Sequence, residues 1–158
     1  MYCLDTNVLI NSWHFWYAPA THPTFWTGLQ TLAGEGRLGF PYQVYEELEL
    51  QHDDLWEWCR DRRDQLMLPA TEESEQIFAE LAAEFPDLIG ALGLGQSYAD
   101  LYVVAMAESR GWVVVSTEEL SNSPNRRKWR IPNICRERGV DCIQPYSLIQ
   151  REGWVFNH

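Results

Sequence analysis

The chain of 158 residues predicts an α/β protein with a mainly parallel central sheet flanked by helices, and three observations carry that prediction. Short β-rich runs alternate with longer helical patterns, the arrangement expected of strands joined by helical crossovers. The opening run Met1-Tyr2-Cys3-Leu4-Asp5-Thr6-Asn7-Val8-Leu9-Ile10 ends its first apolar stretch on an acid, at a strand exit where α/β sheets keep their sites. No internal repeat, low-complexity tail or linker divides the chain, so a single domain over residues 1–158 is expected, long enough to bury about two-thirds of its unfolded surface.

In order, strands are expected at 2–4, 38–40, 112–116 and 141–143. Helices are expected at 7–16, 23–35, 42–49, 53–64, 72–84, 97–110, 132–138 and 146–151. The helix at 97–110 is the best delimited. Ser97-Tyr98-Ala99-Asp100 reads as a capping-box-like start, and Gly111 is a typical stop. Leu101, Val104 and Ala105 are its expected sheet-facing positions. Pro69, Pro86 and the glycine-rich run from Gly90 to Gly95 punctuate the middle. That run reads as a loop without the Lys-Ser/Thr ending of a phosphate-binding loop.

A net charge of -11 argues against nonspecific adhesion to nucleic acid, which depends on Lys and Arg neutralising phosphates, but it does not exclude a nuclease. No apolar stretch approaches the roughly 20 residues that span a bilayer. Asp5 interrupts the N-terminal apolar run and no basic segment precedes it, so no signal peptide is expected; the expectation is a cytoplasmic protein without a membrane partner. Cys3, Cys59, Cys135 and Cys142 form no C-x-x-C pair and read as buried free thiols rather than a zinc cage.

Four acids stand beside apolar elements: Asp5, Glu47 in Val44-Tyr45-Glu46-Glu47-Leu48, Asp100 in Ala99-Asp100-Leu101-Tyr102-Val103, and Glu118 after Val113-Val114-Val115-Ser116-Thr117. Each has a plainer reading. Asp5 could be a helix N-cap, Asp100 part of a capping box, and Glu47 one of several acids on a solvated helix face. Glu118 adjoins Glu119 in a polar loop. Their joint placement, two near strand exits and two on helices, is compatible with one end of a sheet and with a metal site.

Leu4-Asp5-Thr6-Asn7-Val8-Leu9-Ile10 resembles the opening motif of PIN-domain nucleases, including the VapC toxins. Val44-Tyr45-Glu46-Glu47-Leu48 resembles their second motif and selects Glu47, the acid before the leucine. Ala99-Asp100-Leu101-Tyr102-Val103-Val104-Ala105-Met106-Ala107 is similar to the third, and Val114-Val115-Ser116-Thr117-Glu118 to the fourth, where Asp is commoner than Glu and Thr commoner than Ser116. Ile131-Pro132-Asn133-Ile134-Cys135 and Gly139-Val140-Asp141-Cys142-Ile143 resemble the closing segment of a less-studied bacterial PIN branch.

The resemblance implies a PIN-like three-layer sandwich and a metal-dependent endoribonuclease, with Asp5, Glu47, Asp100 and Glu118 as catalytic metal ligands. The hard oxygen donors suit one or two Mg²⁺ or Mn²⁺ ions. Thr6, Asn7 and Ser116 are expected to orient those carboxylates, or else to make turn and cap bonds. Resemblance to VapC further implies RNA as substrate, the toxin role of a type II toxin-antitoxin pair with a cognate antitoxin, and a homodimer.

Two surfaces remain. Arg126, Arg127, Lys128 and Arg130 concentrate four of the twelve Lys and Arg residues, as an RNA-phosphate contact, a solvated loop or a dock for an acidic partner. The aromatics Trp13, Phe15, Trp16, Tyr17, Phe25 and Trp26 suit base stacking, core packing or an interface. Competing functions are a noncatalytic PIN-like scaffold that binds RNA or protein, and a Mg²⁺-dependent phosphatase. Asp5-Thr6-Asn7 lacks the second acid of the usual phosphatase D-x-D motif.

Overall fold

A computed structural model describes residues 1–89 and 98–156. Five strands form one sheet in the order β3-β2-β1-β4-β5: β1 (Tyr2–Leu4), β2 (Leu38–Pro41), β3 (Met67–Leu68), β4 (Val113–Val115) and β5 (Cys142–Ile143). All four pairings are parallel, with Cys3 opposite Gly39 on one side and Val114 on the other. Helices flank this sheet, as the sequence predicts. Central β1 and β2 are buried throughout, which is why they read as continuous apolar runs.

β1 leads into α1 (Thr6–Asn11), which widens into a π-helical turn at Ser12–Trp16 closed by Tyr17 N donating to Ser12 O at 2.8 Å. The expected continuous helix over 7–16 therefore changes its winding halfway. Next come α2 (Pro23–Gly34), β2 and α3 (Tyr42–Gln51). The expected helix at 53–64 divides at Arg62 into α4 (Asp54–Asp61) and α5 (Arg63–Leu66). Arg62 is held there by its guanidinium, which lies 4.5 Å from the centre of the Trp58 ring and donates to Trp58 O.

Strand β3 follows directly, and the sequence gives no sign of it because two residues carry no periodicity. Gly39 makes room for it: a Cβ there would lie 2.5 Å from Leu66 O. α6 (Glu72–Glu84) starts in a reciprocal cap between Thr71 and Ser74. The short α7 (Pro86–Ile89) is likewise absent from the sequence-based expectation.

α8 (Tyr98–Arg110) is the central helix. Besides the expected Leu101, Val104 and Ala105, it buries Ala99, Val103, Met106 and Ala107, because it is packed between the sheet and helices on its outer side. The expected cap at Ser97 and the Gly90–Gly95 loop lie outside the described residues. After β4, a connection with a 3₁₀ turn at Arg126–Lys128 leads to α9 (Ile131–Arg138), β5 and α10 (Pro145–Glu152).

The buried apolar residues form one core cluster on both faces of the sheet. All four cysteines are free; Cys3, Cys59 and Cys135 are buried and Cys142 is half-buried, a partial departure from the expected burial. Trp13, Trp26 and Trp58 pack edge to face or tilted, with centroids 4.8–6.5 Å apart, so much of the aromatic cluster is core. Phe15 and Trp16 stay exposed. Among the described residues no helix is long and apolar enough to cross a membrane.

Candidate functional site

β1 and β4 are neighbours, so their exits lie side by side, and Asp5 N donates to Val115 O at 3.0 Å across them. Asp5 occupies the N-cap position of α1 yet makes no capping hydrogen bond. Its fully buried carboxylate turns instead to Ser116, whose Oγ donates to Oδ2 at 3.0 Å. The same Ser116 Oγ accepts from Glu118 N at 3.1 Å and thereby ties the two exits together. Asn7 makes a second tie between them, its Oδ1 accepting from Thr117 N and Thr117 Oγ1 at 3.0 and 2.8 Å. Asn11 adds a bond from Nδ2 to Thr117 Oγ1 at 3.0 Å.

Glu47 is half-buried on α3, whereas Glu46 and Glu49 are exposed. Asp100 stands in the first turn of α8, mostly buried with an edge open to solvent. Its carboxyl lies against that of Asp5, close enough to share a proton.

The charges converge electrostatically. Burial first, then the nearby charges of Asp5, Glu118 and Glu47, raises the Asp100 carboxyl well above the ordinary carboxylate range. Asp5 is raised too, by burial and then by Glu118, against the opposing effects of the Ser116 hydroxyl and the Thr6 backbone. Burial also raises Glu47. No Lys or Arg forms a salt bridge with any of the four acids among the described residues.

That environment fits a divalent cation chemically. The donors are hard oxygens, the Asp5 and Asp100 carboxyls lie side by side, and Thr6 Oγ1 is buried with no hydrogen-bond partner of ordinary geometry, although it is near enough to Glu47 to favour its ionised form. Among the described residues, however, no three Asp, Glu, His or Cys side chains form a ready metal cage.

Glu118 is held more firmly than its polar loop suggests. Its Oε2 accepts from Ile131 N at 3.0 Å, at the start of α9, and its carbonyl accepts from Gln144 Nε2 at 3.1 Å. The connection carrying the basic cluster is thus closed at both ends around Glu118. Arg126 is paired with Glu84 and Glu137 and lies over Phe85 and Trp129, while Arg127 pairs with Asp87. All four cluster cations remain exposed. Glu47 lines a cleft of about 470 Å³, and Ser116 and Glu118 line another of about 240 Å³.

Sequence reasoning does not single out Asn133, although it lies in the closing segment that resembles the PIN branch. Buried in the first turn of α9, it accepts from Ser121 N and Arg130 N through Oδ1, at 2.9 and 3.1 Å, and donates to Ser121 O through Nδ2 at 2.8 Å. Its one signal is a polar residue between apolar Ile131 and Ile134. Asn11 and Gln144 leave no comparable signal.

No curated protein matches the sequence. Among solved structures, the fold is similar to a chain of VapBC2 from Rickettsia felis, in a complex bound to a DNA fragment from its promoter. The two are 16% identical, with a TM-score of 0.54 over 90% of this chain and 97% of the other. That likeness establishes a PIN-like α/β fold. The sequence profile of the family described as a domain of unknown function, DUF4411, matches residues 2–156, and the chain belongs to that family.

Proposed function

We propose that the protein is a cytoplasmic, metal-dependent endoribonuclease of PIN type, acting as one domain over residues 1–158. The observation that carries this reading is the gathering of four acids, Asp5, Glu47, Asp100 and Glu118: burial and the neighbouring acids raise Asp5 and Asp100, and no Lys or Arg forms a salt bridge with any of the four among the described residues. A buried carboxylate pair without a counter-ion is costly to keep ionised, so a function that supplies the counter-ion explains its presence.

In this reading Asp5 and Asp100 are the principal ligands of Mg²⁺ or Mn²⁺, Glu47 orients the ion from α3, and Glu118 completes the group directly or through water. When bound, the ion supplies charge neutralisation at phosphorus and activation of a water. Ser116 holds the Asp5 carboxylate in place by donating to Oδ2, and Asn7 fixes the exit of β4 through Thr117. Arg126, Arg127, Lys128 and Arg130 supply phosphate contacts. The pairs made by Arg126 and Arg127 are solvent-exposed, so a polyanion can replace their present partners. Resemblance to VapC toxins, together with the fold shared with VapBC2, supports the toxin role of a toxin-antitoxin pair, with an antitoxin and a second copy of the chain as partners.

The test is cleavage of a mixed RNA panel with Mn²⁺ or Mg²⁺, with EDTA and the variants Asp5→Asn and Asp100→Asn as controls. Metal-dependent cutting that both substitutions abolish is the expected result. Cutting unchanged in both variants would overturn the assignment. Failure of well-folded, metal-loaded protein to cut would favour a scaffold role.

A further inference from the structure

Glu118 owes its position to a device outside the four acids. The connection from Glu118 to Ile131 leaves the sheet, carries the basic cluster, and returns so that Ile131 N donates to Glu118 Oε2. Among the described residues Glu118 Oε1 takes no hydrogen bond, so one oxygen is anchored and the other is available. What brings the two legs together is Asn133. Its one amide bonds both the N–H and the carbonyl of Ser121 on the outgoing leg, and the N–H of Arg130 on the returning leg.

We propose that Asn133 is a positioning residue: by pinning Ser121 and Arg130 it holds the N-terminus of α9 against Glu118, and so presents one Glu118 oxygen to the cation site. This inference rests on the metal-dependent reading above. It explains why a buried amide occupies the helix start. A carboxylate could accept the two N–H bonds but could not donate to Ser121 O, while an apolar side chain could make none of the three. Residues that orient metal ligands from one shell out commonly change metal affinity by about 10–100-fold when replaced.

The experiment is Mn²⁺ titration by calorimetry, without RNA, on the full chain and on Asn133→Leu, Asn133→Asp, Glu118→Gln and Leu29→Ala, with thermal unfolding of each. Leu29 is buried in α2, so Leu29→Ala controls for a general loss of stability. The expected result is Mn²⁺ binding weakened about 10–100-fold in Asn133→Leu and Glu118→Gln and less in Asn133→Asp, which keeps both acceptor bonds, with Leu29→Ala near wild type despite its lower Tm. Wild-type affinity in Asn133→Leu beside a weakened Glu118→Gln would overturn the positioning role and leave the metal reading standing. Equal weakening in Leu29→Ala would reduce the effect to stability and overturn the positioning role as well. A wild-type chain that takes no Mn²⁺, or Glu118→Gln binding like wild type, would overturn the part of the metal reading on which the inference rests.

Discussion

The two ends of β1 treat carboxylates in opposite ways. Beside its first residue, the side chain of Glu152, 13% exposed, accepts from Tyr2 Oη at 2.6 Å and from Arg37 Nη2 at 3.1 Å on each oxygen. Just beyond its last residue, Asp5 and Asp100 lie together with Glu118 and Glu47 nearby, and among the described residues it is the Ser116 hydroxyl and the Thr6 backbone that moderate the charge on Asp5. A cleft of about 500 Å³ also opens at the Glu152 end, so cavity size does not distinguish the two. Charge does: the Glu152 carboxylate is paired with Arg37 within the chain, while the acids at the Asp5 end have no Lys or Arg salt-bridge partner among the described residues.

The sharpest way to break that contrast is to neutralise the open end. Asp5→Asn or Asp100→Asn is expected to lower RNA cleavage at least about a hundredfold, since replacing a group that merely orients a ligand already costs about 10–100-fold in affinity or activity. The metal-free variants should also melt at higher temperature than wild type at pH 8, because each substitution removes one of two crowded charges. Rate assays beside thermal scans check both halves. Loss of activity with an equal loss of stability would point to damage rather than chemistry.

Metal should act the same way as neutralisation. The raised values of Asp5 and Asp100 mean that the folded chain keeps protons that the unfolded chain has released. Their favourable contribution is complete below the ordinary carboxylate range near 4 and is lost as pH rises toward and through the raised folded values, across neutrality. Protons also compete with the cation for the same oxygens. Mn²⁺ at about 100 times its Kd should therefore add about 2.7 kcal/mol at pH 8 and much less at pH 5. Calorimetric melting at the two pH values, with and without Mn²⁺, measures the difference; an equal shift at both would place binding elsewhere.

Much of this contrast is legible in the sequence, and its limits have physical causes. Asp5 and Glu118 are visible because they follow apolar runs whose β-character leaves few alternatives, and motif position separates Glu47 from Glu46 and Glu49, as burial then does in the fold. Strand β3 is not visible, because Met67–Leu68 depends on Phe40 and Pro41 of another strand rather than on a local pattern. The Glu152 end is equally silent. Tyr2, Arg37 and Glu152 lie up to 150 residues apart, and nothing local to any of them announces the pairing. Asn133 shows the intermediate case, a polar residue inside a quoted segment that nothing singles out until the returning loop supplies its partners.

The closed end should respond to substitution through stability alone. Burial, followed by the bond to Glu152, pushes the Tyr2 hydroxyl up to about 12, so it remains a donor throughout the physiological range. Tyr2→Phe removes that donor and is expected to cost about 2 kcal/mol, within the span for hydrogen bonds to charged groups, while leaving metal affinity and cleavage unchanged. Denaturant melts and Mn²⁺ titration check the two statements. A fall in metal affinity would show that the two ends of β1 are coupled.

The smallest effect expected is also the most discriminating, because it separates the needs of the metal-free fold from those of the site. Thr6 follows Asp5 directly, and its buried Oγ1 makes no ordinary hydrogen bond. An orphaned hydroxyl costs stability, so Thr6→Val, which keeps the shape and removes the oxygen, is expected to raise metal-free stability by about 1 kcal/mol. If that hydroxyl orients Glu47 or a water of the bound ion, the same substitution weakens Mn²⁺ binding. Stabilisation with weakened binding would mean that the metal-free fold carries an unpaired polar group for the benefit of the loaded one. Stabilisation with unchanged binding would confine the four-acid account to the carboxylates and make Thr6 a leftover of helix capping rather than part of the site.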